Sequence, residues 1–241
     1  MKAILNIHNI SKHYDGIIAV DSVTFSVLPG TITGIFGDNG AGKTTLFNLI
    51  SGFEKADKGR LLFNGKDITH KSVINRVKLG MGRLFQTARV FNDVTVLDNL
   101  LAAGNNHEAR RLYNYIIKYR AIKLNNIKNQ EKAYDILNNF NLKEKASFKA
   151  YELSIGEKKL LSLGCLLMNG ARFLLLDEPF AGINGEAIAI VKATFGILKE
   201  EGITILMIEH NKEQLFEISD TVYKMKHGKL NRIESVDYAN N

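Results

Sequence analysis

Gly37-Asp38-Asn39-Gly40-Ala41-Gly42-Lys43-Thr44-Thr45 follows the spacing G-x-x-x-x-G-K-[ST], with Gly37, Gly42, Lys43 and Thr44 at the fixed positions. Glycines let a backbone curl tightly and turn its bare N–H groups toward phosphate oxygens. In this spacing the lysine adds a charge at the β/γ-phosphates of a nucleotide, and the Thr44 hydroxyl takes Mg²⁺. Read alone, the stretch is also an ordinary glycine-rich turn. Its flanks argue for the richer reading. Thr31-Ile32-Thr33-Gly34-Ile35-Phe36 reads as a buried strand, and Thr44-Thr45-Leu46-Phe47-Asn48-Leu49-Ile50 as a helix. Strand, loop and helix in that order is the setting this motif requires.

Working outward, Phe173-Leu174-Leu175-Leu176 and Ile203-Thr204-Ile205-Leu206-Met207-Ile208 are short, almost continuous apolar runs. Such runs suit parallel strands buried on both faces. Helical patterns separate them, which points to an α/β core. Residues 17–28 are β-rich and end at the Pro29-Gly30 turn, and residues 60–63 and 81–85 read as further strands. Residues 107–140 read mostly as helix and interrupt the alternation, as a separate lobe would. The 241 residues contain two prolines and no low-complexity linker, so no clean cut into independent domains is expected.

The composition is that of a soluble globular chain, 45% hydrophobic and 24% charged. No apolar run reaches membrane-spanning length, and no signal peptide is expected. The single cysteine, Cys165, lies in an apolar run and reads as a buried structural thiol of a reducing compartment. The net charge is +7, and residues 107–150 hold ten Lys/Arg against four Asp/Glu. That segment suits an anionic surface or a solvated helical face. The near-neutral remainder argues against a protein built mainly for nucleic acid.

A second signal supports the first. The strand ending Leu175-Leu176-Asp177-Glu178 places two acids at its tip. In phosphate-loop enzymes an acid there helps hold Mg²⁺, which fits Asp177; Glu178 points the other way and can polarise an attacking water. Four further stretches follow in a fixed order: Tyr14 in Lys12-His13-Tyr14-Asp15-Gly16, Gln86 in Leu84-Phe85-Gln86-Thr87, Leu153-Ser154-Ile155-Gly156-Glu157, and His210 in Ile208-Glu209-His210-Asn211. Singly, each has a plainer reading: a turn aromatic, a surface amide, a serine capping the helix 157–168, a helix-cap histidine. Together they resemble the nucleotide-binding subunit of an ABC transporter over almost the whole chain.

That resemblance implies an α/β fold: a P-loop NTPase core with a mostly parallel sheet, an N-terminal antiparallel β subdomain and a helical subdomain. Residues 1–241 would form a single ABC ATPase domain, with about 1–90 and 170–241 as core and about 91–169 as helical subdomain. It implies ATP and Mg²⁺ as cofactors. Tyr14 would stack on adenine, and Gly37, Asp38, Asn39, Gly40, Ala41, Gly42, Lys43, Thr44 and Thr45 would cradle the phosphates. Thr44, Gln86 and Asp177 would hold the metal. Glu178, His210 and Gln86 would serve hydrolysis. Ser154, Gly156 and Glu157 would reach the nucleotide of an opposing ATPase subunit in a head-to-tail dimer. The other partners would be transmembrane permease subunits, placing the chain on the cytoplasmic face of the cell membrane; no nucleic-acid partner is expected.

The signature departs from the usual LSGGQ, with Ile155 for the first glycine and Glu157 for glutamine. Either position 155 needs no glycine conformation, or this half of the site is weakened. Asn184, where many relatives carry Asp, removes a charge from the expected dimer contact. Within the family, Phe85-Gln86-x-x-Arg89-x-Phe91 and Thr95-Val96-Leu97-x-Asn99-Leu100 look like the branched-chain amino-acid uptake group. Lipopolysaccharide-export ATPases share several of these features. A soluble ATPase of iron–sulfur cluster assembly is the other alternative, since Gly156-Glu157-Lys158-Lys159 resembles its signature.

Overall fold

The computed structural model describes residues 2–104 and 119–233. The apolar runs are strands: β3 (Ile32–Gly37), β7 (Phe173–Asp177) and β8 (Thr204–Ile208), each buried along almost its whole length. They lie side by side with β6 (Met81–Leu84), β9 (Thr221–Lys226) and β10 (Lys229–Ile233) in a sheet ordered β10-β9-β3-β8-β7-β6. All neighbours pair in parallel except β10 with β9. Helix α1 (Lys43–Ser51) follows β3 directly, and its C-terminus closes on Gly52, whose N–H bonds Asn48 O at 2.9 Å in the left-handed conformation.

A second, antiparallel sheet is ordered β2-β1-β4-β5 from β1 (Leu5–Tyr14), β2 (Ile17–Val27), β4 (Lys58–Phe63) and β5 (Lys66–Asp67). Two-residue turns build these hairpins: Asp15-Gly16 joins β1 to β2, Asn64-Gly65 joins β4 to β5, and His227-Gly228 joins β9 to β10. Both residues of each turn have positive φ, the geometry whose twist matches the flanking strands. Leu5, Ile7, Val20, Phe25, Leu61 and Phe63 from this sheet share one apolar cluster with Leu46, Phe47 and Ile50 of α1.

The chain divides into two compact units, one of residues 1–86, 172–179 and 198–241, the other of residues 87–171 and 180–197. Both sheets and α2 (Val73–Lys78) belong to the first. The second holds α3 (Val96–Gly104), α4 (Tyr119–Asn139) and α5 (Ile155–Met168), and α6 (Gly185–Glu200) lies mostly within it. The helix expected over 107–140 is present from Tyr119 to Asn139; residues 107–118 lie outside the described ones. Part of the basic charge of the 107–150 segment is structural. Lys132 Nζ donates to Leu167 O at 2.6 Å, at the C-terminal end of α5, and Lys145 Nζ pairs with Glu157 at 2.6 Å. Cys165 is half-buried rather than buried; its Sγ lies 3.6 Å from Asn99 O, and desolvation pushes its pKa up to about 12.

Candidate functional site

The phosphate-loop motif sits between β3 and α1, pinned from two sides. Gly228 N, in the β9–β10 turn, donates to Ala41 O at 3.0 Å, while Gly228 O accepts from Asp21 N of β2 at 2.9 Å. Gly42 has φ 103°, and a Cβ there would lie 2.1 Å from Ala19 O of β2. Only glycine fits that conformation in that space. Lys43 is 7% exposed. Its ammonium curls back over the loop, donating to Gly37 O at 2.8 Å and Asp38 O at 2.9 Å. Two of its three protons are thus used and one remains. Desolvation lowers the Lys43 pKa, opposed by the carboxylates of Glu178, Asp38 and Asp177. Thr44 is exposed in the first turn of α1.

Glu178 follows β7 with φ 51°, a left-handed conformation uncommon for a glutamate. Its N–H is held by Ile208 O of β8 at 3.0 Å. The turned backbone places its two carboxylate oxygens between two other sequence-predicted residues. Gln86 Nε2 donates to Oε2 at 2.9 Å, and His210 Nε2 hydrogen-bonds Oε1 at 2.8 Å. Three residues 92 and 32 positions apart in sequence thus form one cluster at the ends of β6, β7 and β8. His210 precedes α7 (Lys212–Ile218), whose N-cap Asn211 accepts from Gln214 N at 3.1 Å. A cavity of about 340 Å³ opens beside the loop, lined by Asp38, Asn39, His210, Lys212, Lys224 and Lys226 among others.

Tyr14 lies at the end of β1, 40% exposed, with Lys12 Nζ 5.3 Å above its ring. It is therefore a strand-end aromatic at the Asp15-Gly16 turn with a face open to solvent.

Ser154, Gly156 and Glu157 lie in the second unit, at the start of α5. Ser154 caps that helix: its Oγ accepts from Glu157 N at 3.3 Å, and Glu157 Oε2 accepts from Ser154 N at 2.9 Å. The helix begins at Ile155, two residues before the expected start, because the capping box fixes Ser154 as its boundary. Ile155 has no positive φ, so this position needs no glycine. Gly156 is buried, and a Cβ there would press on Ala187 Cβ of α6 at 3.1 Å. Asn184 caps α6 through Ala187 N at 2.9 Å, a bond that Asp could make equally well.

Arg83 is a residue the sequence reading passed over. Its guanidinium donates to Asp177 Oδ2 at 3.1 Å and to Asn48 and Ser51 of α1. The one signal was a charged residue inside an otherwise apolar strand.

With this arrangement in place, the ABC transporter family profile matches residues 20–181. The chain belongs to the ABC transporter family. Its relatives in that family include a probable branched-chain amino acid transport ATP-binding protein LivG from Methanocaldococcus jannaschii, 39% identical over 94% of this chain and 88% of the relative. The LivG of Archaeoglobus fulgidus is 36% identical over 94% and 87%. The lipopolysaccharide export ATP-binding protein LptB of Haemophilus influenzae is 30% identical over 95% and 89%. Among solved structures, an ATP-binding cassette of an ABC transporter in its ADP conformation superposes with a TM-score of 0.80 at 34% identity, covering 96% of this chain and 90% of that one. The chain is thus the ATP-binding, ATP-hydrolysing subunit of an ABC transporter. Among its described residues no helix is long and apolar enough to cross a membrane.

Proposed function

We propose that this ABC ATPase hydrolyses ATP at a site centred on Glu178 and shared between two chains, and so drives branched-chain amino-acid uptake through a separate permease. The observation that carries the catalytic reading is the Glu178 carboxylate held between Gln86 and His210. Glu178 orients or deprotonates the attacking water, and a water arriving there replaces one of its present contacts. His210 keeps that water in register. Lys43 turns its remaining proton to a phosphate oxygen, and the backbone of residues 37–45 cradles the rest. Tyr14 stacks on adenine. Ser154, Gly156 and Glu157 complete the nucleotide site of the opposing chain. Catalysis of this type rests on positioning and charge stabilisation.

The donor set fits Mg²⁺. The Thr44 hydroxyl, the Asp177 carboxylate and the Gln86 amide oxygen are hard oxygen donors. Among the described residues no group of three or more His, Cys, Asp or Glu gathers as a protein-only cage. Mg²⁺ is typically bound by one or two carboxylates together with substrate phosphates and water. When bound, it supplies positive charge to the phosphates being separated.

Two features support permease docking on the segment that follows Gln86 in sequence. Asn99, 2% exposed, fixes the 91–95 loop by accepting from Phe91 N at 2.8 Å and donating to Thr95 O at 2.9 Å. That leaves Phe91 67% exposed on a loop held by those hydrogen bonds. Docking here would hold the chain peripherally at the inner face of the membrane. The two LivG relatives support the amino-acid cargo.

Glu178→Gln tests the catalytic reading. It is expected to keep ATP affinity while turnover, assayed with the permease, drops by about 10²–10⁴. Unchanged turnover would remove Glu178 from its role. For the cargo, vesicles carrying the reconstituted transporter should take up labelled leucine on adding ATP; movement of lipopolysaccharide instead would assign the chain to export.

A further inference from the structure

β6 pairs in parallel with β7, with Arg83 opposite Leu175, so Arg83 and Asp177 project from the same face of the sheet. The Arg83 side chain is 6% exposed. Its Nη2 donates to Asp177 Oδ2 at 3.1 Å, and its Nη1 donates to Asn48 Oδ1 at 2.7 Å and Ser51 Oγ at 3.0 Å. Asn48 is itself fixed, its Nδ2 donating to Glu54 Oε1 at 2.7 Å. The rings of Phe85, Phe53 and Phe47 surround the guanidinium carbon, with centroids at 4.8, 5.6 and 5.9 Å. Stability alone accounts poorly for this cluster. A buried ion pair often contributes no more than apolar residues of the same volume. Here Arg83 Nε and Glu54 Oε2 are also buried without a hydrogen-bond partner, a further cost.

What the cluster does achieve is geometric. Thr44 lies in the first turn of the helix that carries Asn48 and Ser51, and Asp177 ends the strand beside Arg83. One guanidinium fork therefore ties together the elements that carry two of the proposed metal ligands, Thr44 and Asp177. We propose that Arg83 is a positioning residue that holds Asp177 by Oδ2 in fixed relation to α1, leaving Oδ1 for the divalent cation that accompanies the nucleotide. This rests on the reading of Asp177 as a metal ligand. Lysine cannot replace Arg83, because a single ammonium does not reproduce a planar fork between a carboxylate and a helix.

The test is Mn²⁺ binding, followed by electron paramagnetic resonance on protein saturated with a non-hydrolysable ATP analogue, beside analogue affinity measured in EDTA. Partners of metal ligands typically change metal affinity by 10–100-fold when removed, so Arg83→Gln should raise the Mn²⁺ dissociation constant about tenfold or more, with metal-free nucleotide affinity moving less than about twofold. Arg83→Lys should not restore it. Asn48→Ala, which keeps both Arg83 and Asp177, should shift Mn²⁺ affinity the same way by less, and it decides the matter if Arg83→Gln does not fold. Unchanged Mn²⁺ affinity in these variants, or equal losses of nucleotide affinity with and without metal, overturns the proposal. Asp177→Asn separates the two levels. If it weakens Mn²⁺ and the Arg83 variants do not, only the positioning role falls; if it leaves Mn²⁺ unaffected, the ligand assignment falls and the proposal with it.

Discussion

At the scale of single residues, two arginines show what spacing cannot reveal. Arg76 is 2% exposed, and backbone carbonyls receive its N–H groups: Leu49 O and Ile50 O at 2.6 Å, Lys71 O at 3.0 Å and Thr69 O at 3.2 Å. Leu49 and Ile50 lie in the last turn of α1, so the cation caps the negative end of the helix that begins at the phosphate loop. Desolvation lowers its pKa to about 10. Arg76→Met would strand those carbonyls, and each buried polar group left unsatisfied costs about 1–3 kcal/mol. Urea denaturation should therefore show a loss of about 3 kcal/mol or more; a loss below about 1 kcal/mol would mean that water replaces the guanidinium. In sequence, Arg76 looks like an ordinary surface charge, and Arg83 stands out only as a charge inside an apolar strand. Their most distant partners lie 27 and 94 residues away, and only folding shows that both side chains point inward.

At the scale of elements, local chemistry was more legible. Ser154-x-x-Glu157 is a capping-box spacing, and the box forms. Ser154→Ala should cost about 1 kcal/mol of stability. Glu157 also carries a pH signal. Desolvation raises its pKa, but bonds from Lys145 and Ser154 outweigh it, leaving the value below the ordinary 4.5. A carboxylate depressed on folding stabilises above its unfolded pKa, and that contribution fades as pH falls through the folded value. Glu157→Gln keeps a capping side chain but loses the charge. Its stability deficit should therefore be present at neutral pH and shrink below about pH 4.5, read from denaturation midpoints across the acid range. A pH-independent deficit would exclude the Lys145 pairing as its cause. The Asp15-Gly16 and Asn64-Gly65 dipeptides favour two-residue turns and form them, but those hairpins, like β1 and the β9–β10 edge, drew no expectation. β1 shifts register against β2, and exposed lysines break up β9 and β10, which blurs their alternation.

At the scale of the whole molecule, Glu178 and the phosphate loop belong to the first compact unit, and Ser154 and Gly156 to the second. A site that two chains complete for each other makes association depend on nucleotide. Glu178→Gln protein should run as a monomer alone and as a dimer with ATP in light-scattering chromatography. A monomer with ATP bound would argue for a site completed within one chain. The phosphate-loop spacing, the buried runs and the Ser154 cap came from the sequence by itself, because each is written in neighbouring residues and their periodicity. The tertiary structure alone decided which distant side chains meet: Gln86 and His210 on Glu178, and Arg83 between Asp177 and α1. It also decided that Ile155 needs no glycine conformation, since the helix starts there. The physical reason is the same in each case. Backbone preferences and hydrophobic period act over a few residues, whereas a buried hydrogen bond is defined only after strands far apart in sequence take their register.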